Sequence, residues 1–198
     1  CSSSGDLLLI GQTYPRYSYH MFSSHVSSQY KIYEQDQFAF INSMSREVKN
    51  KLRIRFKQDA YGWDQKTAYC QHLDNPVFDS LKTTLSDSLK KARLAVVNAN
   101  FTSHLETFAA NVPTVIFWDP TYNELRPEAE PFFDKLVDAG ILFYDPAAAA
   151  KQVNSIWSDV PGWWNQDTVQ DAKDAFAYNF ARVSDDWLQE WCKTLKEV

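Results

Sequence analysis

The chain has 198 residues, enough for one sizeable α/β domain, and no Gly/Ser-rich or Pro-rich stretch divides it. Its formal net charge of −5 comes without a basic stripe interleaved with aromatics, which argues against nucleic-acid binding. Cys1, Cys70 and Cys192 are odd in number and lack metal-ligand spacing, a pattern that fits a reduced, cytoplasmic setting better than a disulfide scaffold.

The chain opens on Cys1 and runs almost at once into a strand, as a piece of a longer protein would. Asp6-Leu-Leu-Leu-Ile10 reads as a buried parallel strand leaving into Gly11-Gln-Thr-Tyr-Pro-Arg-Tyr-Ser-Tyr-His20. In that loop Gly11 suits a tight turn, and Arg16 and His20 can face an anion; an aromatic loop packed on the core is the plain alternative. Between Tyr30 and Lys51, Phe38, Ile41, Met44 and Val48 recur at spacings of three and four, which predicts an amphipathic crossover helix. Leu52-Arg-Ile-Arg-Phe56 alternates, placing Leu52, Ile54 and Phe56 on one side and Arg53 and Arg55 on the other. An edge strand with solvated arginines is the simplest account, and a charged ligand the sharper one. Thr67–Leu73 reads as a short strand and Pro76–Arg93 as a helix carrying Phe78, Leu81, Leu85 and Leu89 inward.

The central unit follows. Leu94-Ala-Val-Val97 is an apolar strand, Asn98 to Thr102 a polar turn, Ser103 to Ala110 a helix stopped by Pro113, and Thr114-Val-Ile-Phe-Trp118 a second strand. Such a βαβ unit binds ligands where the strand passes into the helix, because unpaired amides and the helix dipole both favour an anion there. Ser103-x-x-Glu106 matches a capping box, which would occupy both side chains locally. Alternatively the Thr102 and Ser103 hydroxyls meet a phosphate, and Glu106 accepts from the two hydroxyls of a ribose.

After Trp118, Glu124 and Arg126 stand in a third loop where they could bind a polyhydroxylated ligand or simply begin a solvated helix. Gly140 closes a helix before the strand Ile141 to Tyr144, and Asp145-Pro146 opens the helix Ala147 to Trp157. The tail changes character: Asp159 to Trp164 reads as a turn with two tryptophans, and Thr168 to Leu195 as one long helix carrying Phe176, Phe180, Trp187 and Trp191. That aromatic mass is expected to cover a surface of an absent partner domain.

The order strand, Gly11 loop, helix, Arg-bearing strand, helix, strand, Asn-x-Thr-Ser-x-x-Glu loop (Asn100 to Glu106), helix, Pro, strand resembles the C-terminal, nucleotide-binding half of GT-B glycosyltransferases. More narrowly, Tyr14-Pro-Arg-Tyr-Ser, Asp59-Ala-Tyr-Gly-Trp, Thr102-Ser-His-Leu-Glu, Pro113-Thr-Val-Ile-Phe-Trp and Glu124-Leu-Arg look like transferases of bacterial O-antigen and surface-carbohydrate gene clusters. The likeness runs over nearly the whole chain. It implies a Rossmann-like parallel sheet flanked by helices, residues 1–198 forming one nucleotide-sugar-binding domain. Helix 165–198 would pack on the missing N-terminal, acceptor-binding half, which would also hold the catalytic base.

The resemblance further implies donor contacts at Asn100, Thr102, Ser103 and Glu106, with Arg16, Arg55, Glu124 and Arg126 as additional substrate-binding candidates. Lys57-Gln58 stands where related transferases have His-Pro, and Asn111-Val-Pro113 where Gly-x-Pro is commoner. The substrate would be a nucleotide sugar and the acceptor a glycan or lipid-linked glycan, at the inner face of the membrane. No cofactor is implied, and no Asp-x-Asp stands ready to hold a metal. The competing functions are a non-catalytic interaction domain of the same fold and a sugar-nucleotide epimerase.

Overall fold

Apolar runs flanked by loops assemble into one parallel sheet: β1 (Asp6–Ile10), β2 (Leu52–Arg55), β3 (Val77–Phe78), β4 (Ala92–Val97), β5 (Thr114–Phe117) and β6 (Leu142–Phe143). The computed structural model describes residues 5–17, 27–56 and 61–196. Strand order is β3-β2-β1-β4-β5-β6, every neighbouring pair parallel. The two central strands are continuous in apolar side chains because both faces of the sheet are covered. Leu7, Leu9, Leu94 and Val96 pack with Phe40 and Ile41 on one face, while Leu8, Ile10, Ala95 and Val97 meet Leu89 and Val112 on the other. The chain winds outward from β1 to β3 and then returns to place β4 beside β1. This is the Rossmann-like order, with its change of direction between β1 and β4.

Ten α-helices are found among the described residues: α1 (Ser27–Ser43), α2 (Arg46–Lys49), α3 (Gln65–His72), α4 (Leu85–Leu89), α5 (Thr102–Ala109), α6 (Glu130–Asp138), α7 (Pro146–Ile156), α8 (Val160–Trp164), α9 (Asp167–Phe180) and α10 (Trp187–Lys196). The single helix expected over Tyr30–Lys51 is broken at Ser45, whose hydroxyl accepts the Val48 amide at 3.3 Å and caps α2. Ile41, Met44 and Val48 are nevertheless all buried. The strand expected at Thr67–Leu73 is instead α3, since Gln65, Tyr69 and Leu73 face inward at every fourth position. The helix expected over Pro76–Arg93 is also corrected. Its first residues extend as β3, the Asp79 amide donates to the Ile54 carbonyl at 2.8 Å, and a Thr84–Asp87 capping box starts α4 only at Leu85. With β3 outside it, β2 is an inner strand, so Arg53 and Arg55 are not solvated edge residues but pair with Asp6 and Asp79.

Two left-handed residues end helices beside the sheet. Gly140, at φ 68°, follows α6, and the Ile141 amide returns to the Leu136 carbonyl at 2.9 Å. Asn111, at φ 49°, does the same for α5, with the Val112 amide 2.9 Å from the Thr107 carbonyl. Asn tolerates this conformation and adds what Gly cannot: its Oδ1 accepts from Trp164 Nε1 at 3.1 Å and Lys173 Nζ at 3.2 Å, tying α5 to α8 and α9.

The tail divides where one helix was expected. Val160 to Trp164 is helical rather than a turn, Trp163 and Trp164 are buried within this chain, and Phe176 of α9 packs against Phe108, Phe133 and Phe180. Residues 181–186 then interrupt the helix, and α10 presents Trp187, Leu188, Trp191 and Leu195 to the outside. Trp164 is 3% exposed and Trp187 and Trp191 60% and 61%. Trp164→Ala should therefore cost about 3–5 kcal/mol, whereas alanine at Trp187 or Trp191 should stay within about 0.5 kcal/mol of wild type. Urea unfolding measures both; equal losses at the two places would show that α10 is packed in solution.

Candidate functional site

At the carboxyl ends of β1 and β4 the loops turn to opposite faces of the sheet, and this divergence opens a cleft of about 240 Å³. Ile10, Gly11 and Gln12 come from the end of β1, Arg55 and Phe56 from β2, Leu81 and Leu85 from the segment before and within α4, and Ser103 from α5. Gly11 is needed for space rather than for a turn: a Cβ there would stand 3.0 Å from the Phe56 ring.

The capping box read from Ser103-x-x-Glu106 does not form. The helix starts one residue earlier, at Thr102, behind an extended Phe101 (φ −136°) that offers no capping side chain. Ser103 consequently has helical backbone and lies inside the first turn, where its side chain cannot take the amide that an N-cap takes. The Thr102 and Ser103 hydroxyls have no hydrogen-bond partner among the described residues, and the first amides of α5 remain uncapped. Glu106 is exposed one turn further along and forms no ion pair there.

Arg55 is placed differently. Its Nη1 reaches Asp79 Oδ2 at 2.6 Å, the Ser80 carbonyl at 3.1 Å and Ser88 Oγ at 3.2 Å, while Nη2 reaches the Thr83 carbonyl at 2.8 Å. Burial alone would raise the Asp79 carboxyl, but hydrogen bonds from Ser88 and Arg55, with the Arg55 charge, hold it below the ordinary range. Arg55 lines the cleft as a fully engaged clamp on the β3–α4 segment. Arg55→Ala would leave the half-buried Asp79 held by the Ser88 hydroxyl but without its counter-charge, and should destabilise the fold by about 1–3 kcal/mol in urea unfolding; a loss under about 0.5 kcal/mol would mean that the clamp is open in solution.

The remaining candidates stand outside this cleft. Arg16 projects from the β1–α1 loop over the Trp63 ring at 5.5 Å and the Tyr17 ring at 5.8 Å, with no carboxylate partner among the described residues. Asn100 is half-buried in the β4–α5 loop. Glu124 and Arg126 are exposed on the β5–α6 loop and do not pair with one another, and the Arg126 carbonyl holds the Ala129 and Glu130 amides at the start of α6. His20 and Lys57 to Ala60 lie outside the described residues. Among the described residues no group of three His, Cys, Asp or Glu is placed to hold a metal, and no helix is long and apolar enough to cross a membrane.

A buried polar lattice beneath the loops was missed in the sequence. Tyr33 on α1 donates to Asn98 Oδ1 at 2.9 Å and accepts from the Gln12 amide at 2.6 Å. Gln65 accepts from Thr13 at 3.0 Å and donates to the Gln12 carbonyl at 2.9 Å, while Tyr69 donates to Gln37. Burial holds the Tyr33 and Tyr69 phenols well above their usual range, so they act as neutral donors. The available signal was Tyr33 and Gln37 four apart on one helical face, a pattern that periodicity of apolar residues passes over.

A sequence profile of the LIC12162 family transferases matches residues 2–195. The chain belongs to this family. No curated protein matches it. The transferase therefore carries its cleft where Rossmann-like proteins hold ligands, at the change of strand direction, with an uncapped helix end on its wall.

Two titrating groups flank the transferase's β4–α5 loop and respond oppositely to acid. His104, enclosed by Phe108, Trp118 and Phe176, is pushed down to about 4 by burial. Unfolded His titrates near 6.5, so the unfolded chain takes up a proton first and stability falls as pH drops from about 6.5 towards 4. Asp36 is pushed up to about 6, first by burial and then by the charges of Asp119 and Asp145. Its contribution is lost in the other direction, as pH rises from about 4 to 6. Melting temperatures between pH 4 and 7 should show His104→Phe without the acid-side decline and Asp36→Asn more stable than wild type at neutral pH. An NMR titration of His104 near 6.5 would contradict its burial.

Proposed function

We propose that this transferase binds the nucleotide of a sugar donor in the cleft and serves glycosyl transfer to a surface polysaccharide, as the C-terminal half of a GT-B enzyme does. The observation that carries the reading is the uncapped amino end of α5, with its Thr102 and Ser103 hydroxyls unpartnered, at the change of strand direction. Amide donors and a positive helix end there favour a phosphate, and two free hydroxyls add donors in the same place. In this mechanism the bond between the anomeric carbon and the phosphate oxygen breaks, and those groups stabilise the negative charge left on the phosphate. No metal is part of this reading. Arg16 adds a positive charge at the rim, while Arg55 holds the β3–α4 wall.

Glu106 accepts from the ribose hydroxyls, with Asn100 beside the phosphate and Glu124 and Arg126 towards the sugar. The acceptor glycan and the catalytic base belong to an N-terminal acceptor-binding domain. The outward apolar face of α10, formed by Trp187, Leu188, Trp191 and Leu195, supports a partner domain at that surface. The same face also favours the second reading, an interaction domain that binds a nucleotide without turnover.

Calorimetric titration with UDP, GDP and CMP tests the nucleotide site. Ser103→Ala should weaken the nucleotide that binds by about tenfold with little change in melting temperature, since no structural bond is removed. Glu106→Gln should lower affinity for the ribonucleotide by a similar factor and affect its 2′-deoxy form less. Unchanged affinity in both folded variants would overturn the phosphate and ribose assignments together.

A further inference from the structure

A second, smaller hollow lies on the opposite face of the sheet from the cleft, between α1 and the segment that follows β5. Asp36, Asn98, Phe117, Trp118, Asp119 and Tyr122 line it, and its volume of about 10 Å³ is close to that of one water-sized sphere. Two of the residues that line it carry buried N–H groups that are unsatisfied among the described residues. Asn98 is 2% exposed; its Oδ1 is taken by the Tyr33 hydroxyl, and its Nδ2 has no partner. Trp118 is 4% exposed, and its indole N–H has no partner either. Each such group costs roughly 1–3 kcal/mol unless an acceptor meets it. Opposite them, Asp36 is half-buried and makes no hydrogen bond or ion pair among the described residues, whereas Asp119 and Asp145 are occupied as helix caps at 2.8 Å and 2.6 Å.

The chemistry of this lining is selective. An anion would meet the carboxyl groups of Asp36 and Asp119, and an ammonium group would meet two N–H donors. A neutral hydroxyl suits both kinds of group, since its oxygen can accept from an N–H donor while its proton goes to a carboxylate. One chain segment joins the hollow to the nucleotide cleft, because Asn98 lines the first and Ser103 the second. Tyr33 also ties the two together, accepting from the amide of Gln12, which lines the cleft, and donating to Oδ1 of Asn98, which lines the hollow.

We propose that the Asn98–Trp118–Asp36 hollow is a subsite for one hydroxyl of the sugar carried by the donor. This rests on the nucleotide reading of the cleft. A lone water would satisfy the same donors, and the subsite differs from it in discriminating between a nucleotide and its sugar conjugate.

The test is calorimetric titration of wild type, Asp36→Asn and Trp118→Phe with UDP, GDP and CMP, and with UDP-glucose, UDP-N-acetylglucosamine, GDP-mannose and CMP-sialic acid. Trp118→Phe keeps the ring in the core and removes only the N–H, and circular dichroism confirms that each variant is folded. The expected result is a loss of about tenfold for the best-bound nucleotide sugar in each variant, with the free nucleotide bound as in wild type. If a nucleotide binds and both variants match wild type for its sugar conjugates, the hollow holds water only and this inference fails alone. Equal losses for the nucleotide and its conjugate also overturn it, because the effect is then on the cleft. If none of the nucleotides or conjugates binds, the reading of the cleft fails and this one fails with it.

Discussion

The parallel pairing of β1 with β4, in register from Leu7 with Leu94 to Ile10 with Val97, fixes where a ligand can sit on this protein. Strands β1 and β4 belong to halves of the sheet that are wound in opposite directions. The loops leaving their carboxyl ends must therefore diverge, and the space between them cannot be filled by either crossover helix. The cleft lies along that upper edge: Gly11 and Gln12 after β1, Arg55 at the end of β2, and Ser103 after β4. Both central strands are buried on their two faces, so the edge is carried by the least deformable part of the molecule.

Rigidity is handed from the sheet to the loops by polar contacts as well as by the aromatic cluster of Tyr14, Tyr30 and Tyr33 with Ala99. Tyr33 bridges the Gln12 backbone and Asn98, so the two loops that border the change of strand direction are joined through one phenol. Gln65 on α3 holds the β1 loop from a third element, and Arg55 draws the β3–α4 segment inward through Asp79, Ser80, Thr83 and Ser88. A buried network of this kind is stable only when its members are satisfied. The N–H groups of Asn98 and Trp118, like Nδ1 of His104 beside Trp118, are exceptions to that rule among the described residues.

Surface and core are divided differently from what composition suggests. Seven tryptophans in one chain invite the view that a domain-sized surface is missing. Yet Trp118, Trp157, Trp163 and Trp164 are buried inside this fold, Trp63 is half-buried against Tyr30, and only Trp187 and Trp191 are left outward. The apolar face of α10 is thus a narrow stripe on one short helix, set apart from the body by residues 181–186.

How much of this was legible in the sequence depended on whether the signal was local. Strands β1, β4 and β5 and helices α5 and α7 were readable because unbroken apolar runs, Pro and Asp-Pro boundaries act within a few residues. The α/β class and the position of the βαβ loop followed from them. Segments such as Thr67–Leu73 and Pro76–Arg93 were misread because their structure is imposed from a distance: α3 is turned by what Gln65 and Tyr69 find beneath them, and β3 by its pairing with β2 and the pull of Arg55. The same limit explains the capping box, whose residue types were correct while a shift of one residue at Phe101 placed Ser103 inside the helix. The sequence by itself determined the central β4-α5-β5 unit and a hydroxyl-bearing helix start, since these are written in nearest neighbours. Only the tertiary structure decided which arginine is already spent and which buried amides are left without partners, because burial and hydrogen-bond saturation are properties of groups that meet across the fold.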